Sequence, residues 1–406
     1  MQLQFDIESF VNKKVTGRNE SLLHSDFQKY NVQMEKRIND KSVLVIGGAG
    51  TIGSSYIKAL LRFKIKKLVV VDINENGLTE LVRDLRSSEG YYIPEDFITY
   101  PVNFGDRVFE KIFRNSGPFH IIANFAAHKH VRSEKDIFSI EALIENNLIR
   151  ARKLLDLLLQ FPPEHFFCVS TDKAANPVNI MGASKKLMEE MIMAYSNNIP
   201  ITTARFANVA FSNGSLPMGF LDRFNKKQPW SCPLGIRRFF VSPLESGELC
   251  LLASVMGETG DIFFPILDER KDMIPFDQIV KDLLESFGFE IDVCKSEKEA
   301  KEKALIFKEN SKSYPVYFFG SDTSGEKSYE EFYTNKEVLD LESFINLGVI
   351  KNSKKRSINE IDEIINRFNN IFNKNKVLKS EIVDVLKEYL PNFVHIETGK
   401  GLDQKM

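Results

Sequence analysis

Apolar positions along the chain form short continuous runs separated by longer stretches with helical spacing. The run Val43–Ile46 is apolar throughout, which is typical of a strand buried on both faces of a parallel sheet. Later runs predict strands at Leu68–Val71, Ile121–Phe125, Phe166–Ser170 and Ile201–Phe206. The intervening stretches predict helices at Ser54–Phe63, Glu75–Ser87, Ile140–Gln160 and Gly182–Ser196. This alternation predicts an α/β fold with a Rossmann-type doubly wound parallel sheet.

The same pattern divides the chain into four regions. Residues 41–211 contain the regular alternation and form the predicted Rossmann domain. Residues 212–338 mix Gly, Pro and aromatic residues with short elements, which predicts a smaller substrate-binding region; its Lys- and Glu-rich stretch Lys295–Lys312 predicts a solvated helix. Residues 1–40 and 339–406 are polar with short amphipathic patterns, so we expect helical extensions at both ends.

Composition narrows the function classes. The net charge of −2 over 406 residues gives no general attraction to nucleic acid or anionic membranes. No run approaches the roughly 20 apolar residues that cross a bilayer, and the first residues carry no secretory signal. The four cysteines are sparse and lack CxxC spacing, which favours free thiols in a reducing cytoplasm. We therefore expect a cytoplasmic protein with no metal site and no nucleic-acid partner.

A glycine-rich turn follows the first predicted strand. Gly47, Gly50 and Gly53 have GxxGxxG spacing, and Asp72 ends the second strand. In dinucleotide-binding units the glycines allow a tight turn, close approach of the pyrophosphate and close packing of the helix. The helix N-terminus attracts phosphate, and an acid at the position of Asp72 binds the ribose hydroxyls of NAD. We predict that this unit binds NAD; the alternative is a glycine-rich turn without a ligand.

Further residues are assigned to the same cofactor site. Thr51 and Ile52 begin the helix after the turn, and Ala126 follows the strand at Ile121–Phe125. Asn103 follows a third candidate strand and is a candidate adenine contact, although a simple loop role fits equally well.

The segment after the strand at Phe166–Ser170 carries the candidate chemistry. NAD enzymes with this type of turn commonly use a Tyr-x-x-x-Lys pair, in which i, i+4 spacing places both side chains on one helix face. Lys holds the nicotinamide ribose and lowers the pKa of Tyr, which takes the proton of the oxidised alcohol. Here Lys185 is present, but Met181 stands four residues earlier and cannot accept a proton.

Asp172 and Lys173 are the candidates for the missing acid–base chemistry. They follow a strand at its C-terminal end, where open α/β sheets bind their ligands. An adjacent carboxylate and amine at the mouth of a cleft can serve as acid and base. A surface ion pair that caps a loop is the alternative from spacing alone.

Residues from about 41 to 335 resemble the nucleotide-sugar 4,6-dehydratases of polysaccharide biosynthesis, within the extended short-chain dehydrogenase/reductases. The resemblance rests above all on the STDKA…NP…GASK pattern within residues 169–186. The matching segments are GGAGTIG (47–53), NFAAHKHV (124–131), ENN (145–147), VSTDKAANPVNIMGASKK (169–186), ARFANV (204–209), RRFFVS (237–242) and GEKSYEE (325–331).

This resemblance implies NAD-dependent conversion of UDP-N-acetylglucosamine to a 4-keto-6-deoxy sugar for bacterial surface glycans or for bacillosamine- or nonulosonic-type sugars. By the resemblance, Thr171 bonds the C4 hydroxyl, and Asp172 protonates the leaving C6 hydroxyl. Lys173 takes the C5 proton, and Lys185 holds the nicotinamide ribose. Family members with methionine at the position of Met181 resemble the type that retains the C5 configuration.

The resemblance also implies contacts to the nucleotide. Asn208 is a candidate pyrophosphate contact, with a turn residue as the alternative. Lys129 is a candidate substrate contact near the nicotinamide side, with a structural role as its alternative. Arg238 is a candidate diphosphate clamp because a guanidinium fork matches phosphate oxygens; a surface charge is its alternative. Glu326 and Lys327 belong to a family motif. Thr323-Ser324 replaces the common Arg-Pro before this motif, and Arg132-Ser133 replaces a frequent Pro-Leu.

Long members of the family carry transmembrane helices before the glycine turn, whereas 40 polar residues precede it here, so we expect a soluble form. Two other functions remain open. A nucleotide-sugar 4- or 5-epimerase shares the fold and NAD but usually keeps the Tyr. A non-catalytic NAD-binding protein would explain the absent Tyr. By analogy of fold we expect a homodimer or higher homo-oligomer through Ile140–Gln160 and Gly182–Ser196.

Overall fold

The computed structural model describes residues 5–130, 134–308, 310–320, 330–353 and 355–395. Some residues discussed above lie outside these ranges: Arg132-Ser133, Thr323-Ser324, Glu326 and Lys327.

The strands confirm the predicted alternation. Each predicted strand is present within one or two residues of its expected bounds. In chain order the strands are β1 Ser42–Ile46, β2 Lys67–Asp72, β3 Asp96–Pro101, β4 Ile121–Asn124, β5 His165–Val169, β6 Ile201–Ala204, β7 Asn208–Val209, β8 Trp230–Pro233, β9 Arg237–Val241, β10 Ile262–Pro265, β11 Met273–Pro275, β12 Glu290–Cys294, β13 Ser313–Phe319, β14 Val338–Asp340 and β15 Leu347–Lys351.

In the described ranges, nine strands form the central sheet in the order β14-β15-β10-β6-β5-β4-β1-β2-β3. The seven strands from β10 to β3 are parallel, and β15 and β14 add antiparallel pairs beyond β10. The order β3-β2-β1-β4-β5-β6 is that of the doubly wound dinucleotide-binding fold. The predicted α/β class and Rossmann-type sheet are confirmed.

The helices also follow the sequence pattern. The helix predicted at Glu75–Ser87 has these bounds in the structure. The described helices are α1 Ile7–Phe10, α2 His24–Ile38, α3 Thr51–Leu60, α4 Glu75–Ser87, α5 Arg107–Ser116, α6 Ile137–Ile144, α7 Ala151–Gln160, α8 Ile180–Ala194, α9 Leu216–Asn225, α10 Pro243–Met256, α11 Phe276–Ser286, α12 Glu297–Leu305, α13 Ile358–Phe372 and α14 Lys379–Tyr389.

Three apolar cores hold these elements together. One core joins one face of the central sheet to α5–α8 and, outside them, α13 and α14. A second joins the opposite face to α3, α4 and α10, with α2 packed beyond. A third lies in the substrate-binding region around α9, α11 and the sheet β12-β13-β8. The N-terminal extension contributes to two of them, because Phe10 and Val11 join the third core while Met34 and Ile38 join the second.

Two features differ from the sequence-based prediction. The C-terminal extension was expected to be helical, yet it supplies β15, and the expected boundary at 338/339 falls inside β14. The helix predicted at Gly182–Ser196 was expected to face another subunit. In the structure 14 of the 15 residues of α8 are buried, and α13 and α14 of the same chain pack against it. Association through this surface is therefore blocked by the chain's own C-terminal helices.

Candidate active site

The glycine loop, residues 47–53, connects β1 to α3. Gly47 has φ +79°, and a Cβ there would lie 2.6 Å from the backbone nitrogen of Ala126. A Cβ on Gly53 would lie 2.2 Å from the carbonyl oxygen of Gly47. These two glycines are therefore required by the packing of the chain itself. A Cβ on Gly50 would meet its nearest protein atom at 3.5 Å, an ordinary contact.

The groups around the loop are of the kinds that hold a dinucleotide. Helix α3 has Gly50 as its N-cap and no side-chain cap, so its first N–H groups are directed at the space beside the loop. Asp72 ends the adjacent strand, and its Oδ2 accepts a hydrogen bond from the Ala49 amide at 2.9 Å. Thr51 Oγ1 accepts from the Asn213 amide at 3.0 Å. Ile52 is half-buried between two cores.

Asn103, Lys129 and Asn208 are the other expected cofactor and substrate contacts. The side-chain Oδ1 of Asn103 accepts a hydrogen bond from the Gly105 backbone amide at 2.8 Å, which fits the loop role, and its adenine contact stays a prediction. Lys129 is exposed. Asn208 Nδ2 donates to the Phe239 carbonyl at 3.4 Å, within the small sheet that also carries Arg238.

The buried Asp172 and the partly buried Lys173 form an ion pair directly after β5. Thr171 Oγ1 donates to Asp172 Oδ1 at 2.7 Å, and Lys173 Nζ lies 3.2 Å from the same oxygen. The Asp172 side chain is only 4% exposed and that of Lys173 24%. This burial excludes a solvated surface ion pair as the explanation of these two residues.

Glu330 joins this pair, and the sequence assigned it no role. Its Oε1 lies 3.3 Å from Lys173 Nζ and 4.0 Å from Arg238 Nε. Both Glu330 and Arg238 are buried. Asp172, Lys173, Arg238 and Glu330 are named here the ionic cluster. Glu330 lies within the GEKSYEE match, so membership of a matching segment was the available signal.

Burial and neighbouring charges shift the pKa values of Lys173 and Glu330 in the ionic cluster. Burial alone would lower the pKa of Lys173, but the carboxylates of Asp172 and Glu330 outweigh it and raise that pKa. Burial and the nearby Asp172 carboxylate raise the pKa of Glu330, against the opposing charges of Lys173 and Arg238. Lys173 therefore keeps its proton in this state, which is the opposite of what a base requires.

Helix α8 packs closely against the ionic cluster. A Cβ on Gly182 would lie 2.7 Å from the Lys173 carbonyl oxygen, so this approach needs glycine. Met181 is fully buried beside it. Lys185 Nζ donates to the Val169 carbonyl at 2.7 Å, and burial lowers the pKa of Lys185. Lys185 thus lies next to the end of β5.

Two further residues hold this region together. Asn147 lies in a π-helical turn, Glu145–Arg150, between α6 and α7, and such turns often occur at functional sites. Its side chain bonds both the amide and the carbonyl of His128 and also Ser184 Oγ. Glu134 Oε1 accepts from the Met181 amide at 3.0 Å. The ENN match contained Asn147, whereas the sequence offered no signal for Glu134.

The described residues contain no helix long and apolar enough to cross a membrane. The same residues hold no group of His, Cys, Asp or Glu arranged to bind a metal ion. All four cysteines are buried free thiols.

Comparison with known proteins places the chain in a family. Residues 43–352 match the family described as "Polysaccharide biosynthesis protein". The "Uncharacterized membrane protein MJ1061" of Methanocaldococcus jannaschii is 29% identical over 77% of this chain and 86% of its own length. The "Probable polysaccharide biosynthesis protein EpsC" of Bacillus subtilis is 27% identical over 75% of this chain. The chain spans only 47% of EpsC.

A solved structure shares the fold. The X-ray structure of Pen from Bacillus thuringiensis superposes with a TM-score of 0.62 and 20% identity, covering 79% of this chain and 90% of Pen. Because the family match extends over three quarters of the sequence, from β1 through β15, the chain belongs to the polysaccharide biosynthesis protein family.

Proposed function

We propose that the protein is a nucleotide-sugar 4,6-dehydratase that converts UDP-N-acetylglucosamine to its 4-keto-6-deoxy product with retention at C5. The observation that carries this proposal is the Asp172–Lys173 ion pair at the C-terminal end of β5. Oxidation alone needs no such pair, whereas elimination of water needs a proton donor and a proton acceptor.

The cofactor of the proposed reaction is NAD, which supplies reversible hydride transfer when bound. The glycine loop and the first turn of α3 hold its pyrophosphate. Asp72 binds the adenosine ribose, and Lys185 lies on the nicotinamide side. The carboxylate of Asp72 would repel a 2′-phosphate, so we expect NAD in place of NADP.

The chain's own residues divide the proton transfers. Thr171 orients the C4 hydroxyl, whose proton passes to the Asp172 carboxylate during oxidation, and Asp172 then donates that proton to the C6 hydroxyl as it leaves as water. Lys173 removes the C5 proton, which the C4 ketone makes acidic, exchanges it with solvent and returns a solvent-derived proton to C5. Because the neighbouring carboxylates raise the pKa of Lys173, Lys173 must lose its proton before it can act as the base at C5. Arg238 and Asn208 bind the diphosphate.

Met181 supports the retaining outcome. A phenol at this position would supply a second acid–base group near the sugar, whereas the thioether of Met181 cannot exchange a proton. Proton transfer at C5 then depends on the ionic cluster alone and occurs on one face of the ring. We therefore expect the proton to return to the face from which it left.

NMR of the reaction in deuterated water tests the proposal. We expect purified protein with NAD and UDP-N-acetylglucosamine to form a 4-keto-6-deoxy sugar with deuterium at C5 and gluco geometry. Asp172→Asn should lower the rate by roughly 100-fold or more, the usual contribution of a general acid. Asp84→Asn, which removes an exposed partner of Lys58, is the matched control and should keep full activity.

Three other outcomes would contradict parts of the proposal. An intact C6 hydroxymethyl group with inverted C4 identifies an epimerase, the alternative with the same fold. Absence of turnover with any nucleotide sugar favours a non-catalytic NAD-binding protein. Near-normal dehydration by Asp172→Asn would remove Asp172 from the acid role.

A further inference from the structure

Glu330 is a buried acid that the proposed reaction leaves without a role. Its side chain is 6% exposed, whereas that of Lys173, its neighbour, is 24% exposed. Glu330 Oε2 is buried and has no hydrogen-bond partner among the described residues. Lys173 is therefore the part of the ionic cluster that opens outward. The proposed reaction assigns the substrate contacts to Asp172, Lys173 and Arg238, so Glu330 acts through these neighbours.

Three charged groups of the described chain face Glu330. Asp172 and Lys173 follow β5, and Arg238 extends from β9. The burial of Glu330 and the carboxylate of Asp172 favour its protonated form, and the two cations favour its ionised form. The protonation of Glu330 therefore depends on whether the Arg238 charge remains directed at it.

The proposed function gives Arg238 a second partner, the diphosphate of the substrate. A guanidinium binds phosphate oxygens in a bidentate manner, and its charge is then largely neutralised by the phosphate. When this happens, Glu330 loses one of its two cationic neighbours while its burial and Asp172 remain. The balance of charges around Glu330 is then shifted toward the neutral acid.

We propose that Glu330 is a positioning residue that takes up one proton when a substrate diphosphate engages Arg238, and thereby releases Lys173 from one of its two carboxylate partners. This inference rests on the proposed function. The proton comes from solvent and converts the Glu330 carboxylate to a carboxylic acid. It returns to solvent when the product diphosphate leaves Arg238, so no net proton is consumed.

The consequence is a Lys173 that titrates differently in the two states. Without nucleotide, two carboxylates stabilise its ammonium form. With nucleotide bound, Asp172 alone does so, and the burial of Lys173 favours the neutral amine. The neutral amine that is needed as a base at C5 therefore forms only after the substrate has bound. In the empty enzyme Lys173 stays protonated.

Nucleotide affinity as a function of pH tests the inference. Calorimetry with the NAD-saturated enzyme and UDP-N-acetylglucosamine between pH 6 and 8.5 should show weaker binding at higher pH. A single linked proton gives a slope of up to about tenfold per pH unit. Glu330→Gln mimics the protonated acid, so we expect its affinity to be nearly independent of pH. Glu331→Gln, whose carboxylate bonds Asn176 in the native chain, is the matched control and should keep the wild-type slope.

Equal pH slopes in wild type and Glu330→Gln would overturn the inference, since a purely structural role weakens binding at every pH alike. Proton uptake by the wild type, measured in buffers of different ionisation enthalpy, gives the same answer without any variant. Zero uptake near neutral pH contradicts the role of Glu330. Turnover without a Glu330-dependent slope refutes this inference alone. A slope without dehydration refutes the proposed function alone, and absence of binding refutes both.

Discussion

Gly50 and Gly53 lie three residues apart in the glycine loop, but glycine is needed at the two positions for different reasons. A Cβ on Gly53 would overlap the Gly47 carbonyl, whereas a Cβ on Gly50 would touch protein only at an ordinary distance. Gly53→Ala should therefore destabilise the fold by about 1–3 kcal/mol, the usual cost of overpacking. Gly50→Ala should leave stability within about 1 kcal/mol of wild type and weaken NAD binding at least tenfold.

Thermal unfolding and NAD titration of the two variants separate these effects. Each variant adds the same methyl group, so each serves as the control for the other. If Gly50→Ala binds NAD like the wild type, the loop does not hold the pyrophosphate at Gly50. A large loss of stability in Gly50→Ala would instead show that the chain itself needs glycine there.

At the residue scale the sequence predicted the part of the site that is contiguous. Thr171, Asp172 and Lys173 follow one another after a strand, so their proximity follows from the chain alone. Glu330 reaches Lys173 only through the tertiary fold. A carboxylate among other charged residues in sequence gives no sign of burial, because the sequence does not specify what packs over it. The sequence therefore predicted the proximity of Asp172 and Lys173 but not their contact with Glu330.

At the element scale the predictions were correct where the pattern is long or strongly apolar. The strands β1, β2, β4, β5 and β6 are such elements, whereas β3 and α5 had no predicted bounds. β14 and β15 were missed because β14 has three residues, and β15 includes Gly348 within a short run. Their strand conformation depends on antiparallel pairing of β15 with β10, a non-local interaction that local patterning does not encode.

The C-terminal helices are attached to α8 by a buried ion pair. Arg356 Nε lies 2.5 Å from Glu190 Oε2, and the two side chains are 5% and 9% exposed. Arg356 also donates to the Tyr389 carbonyl at the end of α14. Removing the arginine leaves Glu190 buried without its partner, so Arg356→Ala should lower the free energy of unfolding by about 3–5 kcal/mol.

Chemical denaturation measures this loss against a matched variant. Arg367 pairs with Glu388 of α14, but these side chains are 43% and 49% exposed. We expect Arg367→Ala to cost no more than about 1 kcal/mol, as exposed pairs usually do. Similar losses in both variants would mean that the Arg356 pair does not attach the C-terminal helices to α8.

At the scale of the whole molecule, the two terminal extensions are bonded to the other regions of the protein. Arg18 pairs with Glu245 and Asp272 of the substrate-binding region. Asp26 of α2 is fully buried and accepts the amides of Ile345 and Asn346, at 2.7 and 2.9 Å, just before β15. The sequence predicted appendages, whereas these contacts make both extensions integral to the fold.

A cooperative fold follows from this arrangement and can be tested with two probes. Trp230 is the single tryptophan and is fully buried in the third core, so its fluorescence reports the substrate-binding region, while circular dichroism reports the helices. We expect both signals to change in one coincident transition.

Asp26→Ala removes the buried acceptor of the Ile345 and Asn346 amides, at about 1–3 kcal/mol for each lost hydrogen bond, and should move both transitions equally. The exposed Glu20, also in the N-terminal extension, is the control, and Glu20→Ala should move neither. Separation of the two transitions in Asp26→Ala would show that the extension stabilises only the Rossmann domain, because a cooperative molecule transmits the loss to Trp230.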